Sequence, residues 1–198
     1  MQSQDDEMGP GLALTPEDPS LEDCSLFFNK DTMYHRHIVR FNYTTYDVRR
    51  DQDVVNPKTP HCYIMLLANP DSERAESTSK DEHPFLYAQV LGAYHVNVIY
   101  TGRVSRGYGT RMVEFLWVRW FEYCGEHSAL NWEDLRLDAI RFPPLSEDSA
   151  FGFVDPNVVL RSAHIVPAFA SGPARLDGVG LSRFSGDAKD WLKYYVNR

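Results

Sequence analysis

The stretch from Met112 to Phe121 is the densest block of aromatic and β-branched residues in the chain. Because successive side chains of a β-strand point to opposite faces, large apolar residues would occupy both faces of this stretch. A strand that is apolar on both faces needs protein on both sides, so we expect it to lie centrally in a sheet or barrel. Its two charged residues, Glu114 and Arg119, would lie on opposite faces and must each find a separate partner.

Other stretches with strand-forming composition flank the central one. β-Branched and aromatic residues, set off by turn-forming residues, predict strands at 35–46, 61–68, 85–100, 139–142, 151–154 and 163–166. The longest of these is too long to stay straight in a small domain, so we expect a bend or bulge at Gly92. Asp155 followed by Pro156 predicts a short helical turn, because Asp caps a helix and Pro fits its first position. Residues 187–196 could form either a docking helix or an edge strand.

These patterns predict a mostly β fold, built as a small curved β-barrel with short helical turns and long loops.

The acidic residues of the chain are concentrated near its start. Residues 1–24 carry seven acidic residues, no Lys or Arg, and several Pro and Gly, which is the composition of a disordered acidic leader. Removing those seven from the 28 acids of the chain leaves 21 against 20 Lys and Arg. Residues 25–198 would therefore form a single, nearly neutral β-rich interaction domain, whose bulk charge favours no partner class.

Cysteine usage and hydropathy predict the cellular setting. Three widely spaced cysteines are an odd number, and no apolar run near the start could serve as a secretory signal. We therefore expect a reducing, intracellular environment. No run approaches the roughly 18 to 20 consecutive apolar residues of a membrane span, so no membrane partner is expected.

Metal binding and catalysis have little support in the sequence. Cys124 and His127 have half the spacing of a zinc site, but no second pair accompanies them. No serine lies in a Gly-x-Ser-x-Gly motif, and no cysteine has neighbours that would activate it. We predict no metal ligands, no cofactor and no enzymatic activity.

Aromatic residues on the predicted strands form one candidate binding site. If several rings meet at the rim of a small barrel, they can form a cage for a methylated lysine through cation–π attraction. The candidate rings are Tyr43, Tyr46, Tyr87, Tyr94, Trp117 and Trp120.

The glycine-rich loop at 101–111 is a second candidate. It contains Arg103, Arg106 and Arg111 and no acidic residue. The loop lacks the lysine and the following helix of a phosphate-binding loop, so mononucleotide binding is not expected. Its arginines could instead contact a nucleic-acid backbone.

Ten short blocks follow one another between residues 36 and 198. They include Phe151-Gly-Phe-Val-Asp-Pro156 and Tyr194-Tyr-Val-Asn-Arg198, and together they lie at 41–50, 83–92, 94–98, 114–121, 136–138, 140–144, 151–156, 164–169, 177–180 and 194–198. In this order they resemble the C-terminal region of large fungal transposon-encoded proteins related to the Kyakuja, Dileera and Zisupton transposases. Chains of that family usually run on past the last block, and their catalytic acids would lie upstream. The resemblance therefore implies a domain clipped at its C-terminus and transfers no catalytic residue.

A second resemblance rests on shorter motifs. The segments 87–91, 118–121 and 154–158 resemble parts of the bromo-adjacent homology (BAH) domains of chromatin proteins. This resemblance implies a bent hairpin that leads into a small barrel, and it transfers no ligand-binding residue.

These observations predict a non-catalytic interaction module of a transposon-derived protein. The module would bind chromatin or a protein partner through the rim of its barrel and act inside the cell, in the nucleus. Two alternatives stay open: nucleic-acid binding, DNA included, through the loop at 101–111, and a metal-dependent enzyme or nuclease fragment.

Overall fold

The computed structural model describes residues 26–68, 83–100, 109–124, 137–182 and 184–197. The predicted acidic leader at 1–24 lies outside these ranges and stays a prediction. Within them the chain forms twelve strands: β1 (Leu26–Arg36), β2 (Val39–Thr44), β3 (Arg50–Val55), β4 (Tyr63–Leu67), β5 (Phe85–Tyr100), β6 (Thr110–Trp120), β7 (Glu122–Tyr123), β8 (Asp138–Arg141), β9 (Phe151–Val154), β10 (Val159–Ser162), β11 (His164–Pro167) and β12 (Tyr194–Asn197). The helical elements described are short 3₁₀ turns. The prediction of a mostly β fold is confirmed.

The strands form three sheets. The largest has six strands in the order β10-β4-β5-β6-β9, with β1 paired to β5 beside this path. The second sheet has the order β11-β12-β8-β7, and β2 and β3 form a separate hairpin. Because β10 and β9 end the largest sheet instead of pairing with each other, no sheet within the described ranges closes into a barrel. The predicted barrel is therefore not confirmed.

Two compact units divide the described residues. The smaller comprises 26–32, 97–100 and 109–111, and the larger comprises the rest. The smaller unit contains the first part of β1, the last part of β5 and the start of β6, and its Val98 is buried. The two cores and the candidate site described below lie in the larger unit.

A first core fills the space between the β2–β3 hairpin and one face of the six-stranded sheet. Phe41 and Val55 come from the hairpin, and Ile64, Val90 and Val118 come from the sheet. Ile64, Val55, Val90 and Val118 are fully buried. Full burial of such a side chain stabilises the fold by roughly 1.5 to 3 kcal/mol, so this layer is a main source of stability.

A second core lies against the opposite face of the same sheet. Tyr87 and Phe121 come from the six-stranded sheet, while Ile140, Tyr194 and Val196 come from β8 and β12 of the four-stranded sheet. Near Phe121 the central stretch therefore has protein on both faces, as its composition predicts, whereas Met112 and Val113 at its start are exposed. Its strand β6 lies between β5 and β9.

The alternation of side chains between the two faces of β5 shifts by one residue near Gly92. Val90 and Ala93 lie in the first core although they are an odd number of positions apart. In a regular strand such residues would point to opposite faces. The shift lies at the position where a bend or bulge was predicted, and it turns Tyr94 toward the face of the second core.

Several local predictions differ from the structure. The predicted strand at 35–46 is interrupted, because β1 ends at Arg36 and β2 begins at Val39. The charged strand β3 was not predicted, and it forms because all six of its residues pair with β2. The predicted docking helix or edge strand at 187–196 is wrong in both forms, since β12 pairs with β11 on one side and β8 on the other.

The segment between β11 and β12 is held by polar contacts. Asp187 is buried, accepts hydrogen bonds from the Leu181 N–H and the Ser185 hydroxyl, and pairs with Arg175 at 2.7 Å. Burial alone would raise the pKa of Asp187, but the hydrogen bonds from Ser185 and Leu181, together with Arg175, outweigh it and hold the pKa below its usual range. A single carboxylate thus fixes a segment that has little regular secondary structure.

Candidate functional site

A row of aromatic rings crosses four adjacent strands of the six-stranded sheet. The ring centroids of His35 on β1 and Tyr94 on β5 are 5.1 Å apart. Tyr94 lies 5.6 Å from Phe115 on β6, and Phe115 lies 5.6 Å from Phe153 on β9. Cross-strand ring pairs at this spacing attract each other and stiffen the sheet.

The same face continues along β6 and β9. Trp117 is the register partner of Phe153, and its ring lies 6.2 Å from that of Phe151. We call the surface formed by these six rings the aromatic face; its members are His35, Tyr94, Phe115, Trp117, Phe151 and Phe153.

Exposure varies across the aromatic face. Phe153 is 75% exposed, and His35 is also exposed. Tyr94, Phe115, Trp117 and Phe151 are half-buried. A ring that is only half-buried on a sheet still offers an apolar surface to a ligand, so the face is a candidate binding site.

Gly92 determines how Tyr94 lies on the sheet. A Cβ built at Gly92 would come within 2.6 Å of the Tyr94 hydroxyl oxygen and Cε2. A side chain at position 92 would therefore require the outer end of the Tyr94 ring to move. The planes of Tyr94 and Phe115 differ by 25°. These two neighbouring rings are thus close to parallel.

Arg119 lies where the aromatic face meets the second core. It is the register partner of Phe151, and its side chain is only 3% exposed. Its Nη1 lies 2.6 Å from Asp190 Oδ2, and its guanidinium lies 3.8 Å from the centre of the Phe142 ring. The predicted separate partner of Arg119 is therefore Asp190. Burial raises the pKa of Asp190 above its usual range, although the Arg119 charge opposes that shift.

A polar cluster joins β5, β7 and β8 beside the second core. His83 Nε2 lies 3.2 Å from Asp138 Oδ2, and the Phe85 N–H donates to His83 Nδ1. These contacts favour the tautomer with its proton on Nε2, which donates to Asp138. The Tyr123 hydroxyl contacts Nδ1 and donates to the Phe85 carbonyl oxygen at 2.8 Å. Histidine between a carboxylate and a hydroxyl can activate that hydroxyl, but here Nδ1 already accepts a backbone N–H, which favours a structural role.

The six candidate rings for a cage are not all brought together. Tyr87 is buried in the second core, and Trp120 packs against the first. Tyr46 is fully exposed in the turn of the hairpin, and Tyr43 lies under Arg161, whose Cζ is 4.7 Å from the ring centre. Of the six, Tyr94 and Trp117 belong to the aromatic face.

Other predicted site residues lie mostly outside the described ranges. Arg103 and Arg106 fall in an undescribed stretch, and Arg111 is exposed near the start of β6. Contact of these arginines with nucleic acid stays a prediction. Among the residues that the structure describes, no group of three or more His, Cys, Asp or Glu side chains could hold a metal ion. His127, the partner suggested for Cys124, is not among them.

Four members of the aromatic face were not predicted as site residues: His35, Phe115, Phe151 and Phe153. One signal existed, because the sequence Phe151-Gly-Phe153 places two rings on one face of a strand. Nothing in the sequence indicates that this strand pairs with β6, which is what brings the rings to Phe115 and Trp117.

None of the helices in the described part of the chain has the length and apolar character to span a membrane. Comparison of the chain with models of protein families, with characterised proteins and with solved structures finds no match.

Proposed function

We infer that this chain is a non-catalytic binding module and that the aromatic face is its ligand-binding surface. One observation carries this inference: rings on four adjacent strands contact one another in sequence and end at Phe153, which is 75% exposed. A large aromatic side chain that stays exposed does not gain the free energy of burial, and clusters of exposed aromatic residues are typical of binding sites.

The position of the face within the fold also supports a role in binding. The aromatic face lies on the side of the six-stranded sheet that carries the second core. Where the second core covers this side, Phe121 and Arg119 are buried. The contribution of burial to folding stability would explain aromatic rings in the covered part of the sheet. It does not account for Phe153, whose exposed ring adds little to the core.

A nuclear setting is part of the proposal. The resemblance to transposon-encoded proteins implies it, and chromatin proteins and nucleic acids are the ligands available there. Support for the binding surface comes from the rings themselves and requires neither family resemblance.

Phe153→Ala tests the inference. Its ring is mostly exposed, so the substitution should change stability by less than about 1 kcal/mol while removing part of the surface. The wild type and the variant would be titrated against a panel of modified and unmodified histone-tail peptides and of oligonucleotides. We expect at least one class of ligand to bind the wild type and to lose affinity for the variant. Equal binding of every ligand to both proteins would contradict the assignment.

A further inference from the structure

We propose that the edge of β9 that faces away from β6 binds an extended peptide with basic ends, which adds to the six-stranded sheet as a further strand. The inference rests on the function proposed above, because Phe151 and Phe153 of the aromatic face belong to β9. It names the class of ligand and the way in which that ligand binds. Three features favour this ligand: the unpaired backbone of β9, the rings beside it and the charge at both ends of the strand.

Strand β9 is one of the two strands that end the path of the six-stranded sheet. Its residues Phe151–Val154 pair with β6, and no other strand within the described ranges pairs with them. Backbone groups along a strand point alternately to its two edges, so about half of the N–H and C=O groups of β9 face away from β6. An extended polypeptide carries donors and acceptors at the matching spacing. The edge therefore selects another strand as its ligand.

The strand at the other end of the path, β10, is less available. The Ser162 N–H of β10 donates to Asp53 Oδ2 of the β2–β3 hairpin at 2.8 Å, and Arg161 Nε lies 3.6 Å from the same oxygen. A carboxylate of this protein therefore already occupies a backbone donor that a strand added to β10 would need. Of these two end strands, β9 is the better site for an added strand.

The rings of β9 determine which side chains the added strand should carry. Phe151 and Phe153 are two positions apart, so both lie on the aromatic face, and Phe153 is 75% exposed. Residues that lie opposite each other in neighbouring strands have their Cβ atoms about 4.5 to 5.5 Å apart. Apolar residues at alternate positions of an added strand would therefore pack beside these two rings. Such packing would bury the exposed ring of Phe153.

The chain around β9 is acidic. Residues 142–160 contain Glu147, Asp148 and Asp155 and no Lys, Arg or His. Glu147 and Asp148 precede β9, Asp155 follows it, and all three are exposed. Among the residues that the structure describes, none of these three forms an ion pair. A peptide with Lys or Arg at both ends would meet carboxylates at both ends of β9, whichever way the peptide runs.

The same charges disfavour a second copy of the chain as the ligand. If β9 paired in antiparallel fashion with β9 of another molecule, Glu147 and Asp148 before one strand would approach Asp155 after the other. Like charges opposed across two strands are destabilising, and charged residues at sheet edges commonly prevent such self-pairing. A basic peptide gains from the residues that keep two copies apart.

The test uses the 198-residue chain and a labelled peptide of about nine residues, in which Val and Thr alternate between basic residues at both ends. A second peptide has Glu in place of each basic residue. In fluorescence anisotropy, we expect the basic peptide to bind more tightly than the acidic one by about fivefold or more, and Phe153→Ala to weaken its binding to a similar extent. Phe169→Ala is the matched control, because Phe169 is 66% exposed and lies outside the aromatic face; it should bind like the wild type.

Methylation of single backbone nitrogens of the basic peptide tests strand addition itself. In an added strand every second N–H faces β9, so a methyl group on one of these nitrogens should weaken binding by about fivefold or more. A methyl group on an intervening nitrogen should leave the affinity unchanged. The charges are tested with the double variant Glu147→Lys/Asp148→Lys, in which the preference should shift toward the acidic peptide. A variant that had merely lost its fold could not show such a shift.

Four results would overturn the inference: no binding of the basic peptide, equal or tighter binding of the acidic one, an effect of methylation that does not alternate along the peptide, and wild-type affinity in Phe153→Ala. Suppose that the peptide fails, but a histone tail or oligonucleotide binds the wild type and loses affinity for Phe153→Ala. The aromatic face then stands as a binding surface, and strand addition at β9 is wrong. If no ligand in either test distinguishes Phe153→Ala from the wild type, both assignments fail.

Discussion

Arg119 on β6 and Asp190 in the segment before β12 form a buried ion pair, with 2.6 Å between Nη1 and Oδ2. The two residues are 71 positions apart in the sequence. The pair joins the six-stranded sheet to the chain that leads into the second sheet. Arg119 also stacks on Phe142, so its guanidinium has an apolar partner as well as a charged one.

Breaking this pair should be costly. Arg119→Met or Asp190→Asn leaves one buried partner without its counterpart, and such changes typically destabilise a protein by about 3 to 5 kcal/mol. Urea unfolding followed by tryptophan fluorescence would measure the effect. The double variant should lose less than the sum of the two single variants, because it leaves no uncompensated charge. Strictly additive effects would show that the pair is not coupled.

Gly152 should not tolerate a side chain. A Cβ at this position would come within 2.5 Å of Trp120 Nε1, and Trp120 packs against the first core. We expect Gly152→Ala to destabilise the protein by about 1 to 3 kcal/mol, because the indole must move in a packed layer. Gly109→Ala is the matched control, since a Cβ there meets nothing within 4 Å. Equal melting temperatures for the two variants would contradict the packing described.

Cys62 should be unreactive while the protein is folded. Its side chain is buried, and burial raises the pKa of its thiol, an effect that the hydrogen bond from Gln89 only partly offsets. The thiolate is the reactive form, so both access and ionisation oppose modification. In a Cys24→Ser/Cys124→Ser background, we expect a thiol reagent at pH 8 to label Cys62 in urea and not in buffer. Rapid labelling in buffer would mean that the region around Cys62 opens readily.

The sequence predicts the most apolar strands well, but most of β1 and the polar strand β3 poorly. Phe85–Tyr100 and Phe151–Val154 agree with the predicted bounds, because their β-branched and aromatic residues form continuous runs. The strand Arg50–Val55 was missed, since its polar residues are stabilised by pairing with β2, which is a tertiary effect.

The same distinction applies to the site. The sequence places Phe115, Trp117 and Arg119 on one face of a strand, and it indicates that Arg119 needs a partner. It does not indicate that this partner is Asp190, or that Phe153 lies opposite Trp117. Strand order and register depend on contacts between residues far apart in sequence, which local patterns do not contain.

Asp187 should make stability depend on pH in acid. Its pKa is lower in the folded protein than the usual value of about 3.9 in an unfolded chain. Its contribution to stability is therefore fully present above that value and is lost as the pH falls through the lower pKa of the folded state. We expect Asp187→Asn to melt at a lower temperature than the wild type at pH 7, with a difference that narrows progressively below about pH 4. A difference that stays constant from pH 7 into this acidic range would contradict the role of the carboxylate charge.

Substitutions of Trp120 and Trp117 should have different effects on stability and on ligand binding, because the two residues lie on opposite faces of β6. Trp120 packs against the first core, so Trp120→Ala should cost about 3 to 5 kcal/mol. Trp117 lies half-buried on the aromatic face, where its ring contacts Phe151. Trp117→Ala should therefore cost clearly less in urea unfolding and still weaken binding of any ligand that uses this face. Wild-type affinity in Trp117→Ala, measured beside Phe153→Ala in the same titration, would restrict the binding surface to the row from His35 to Phe153.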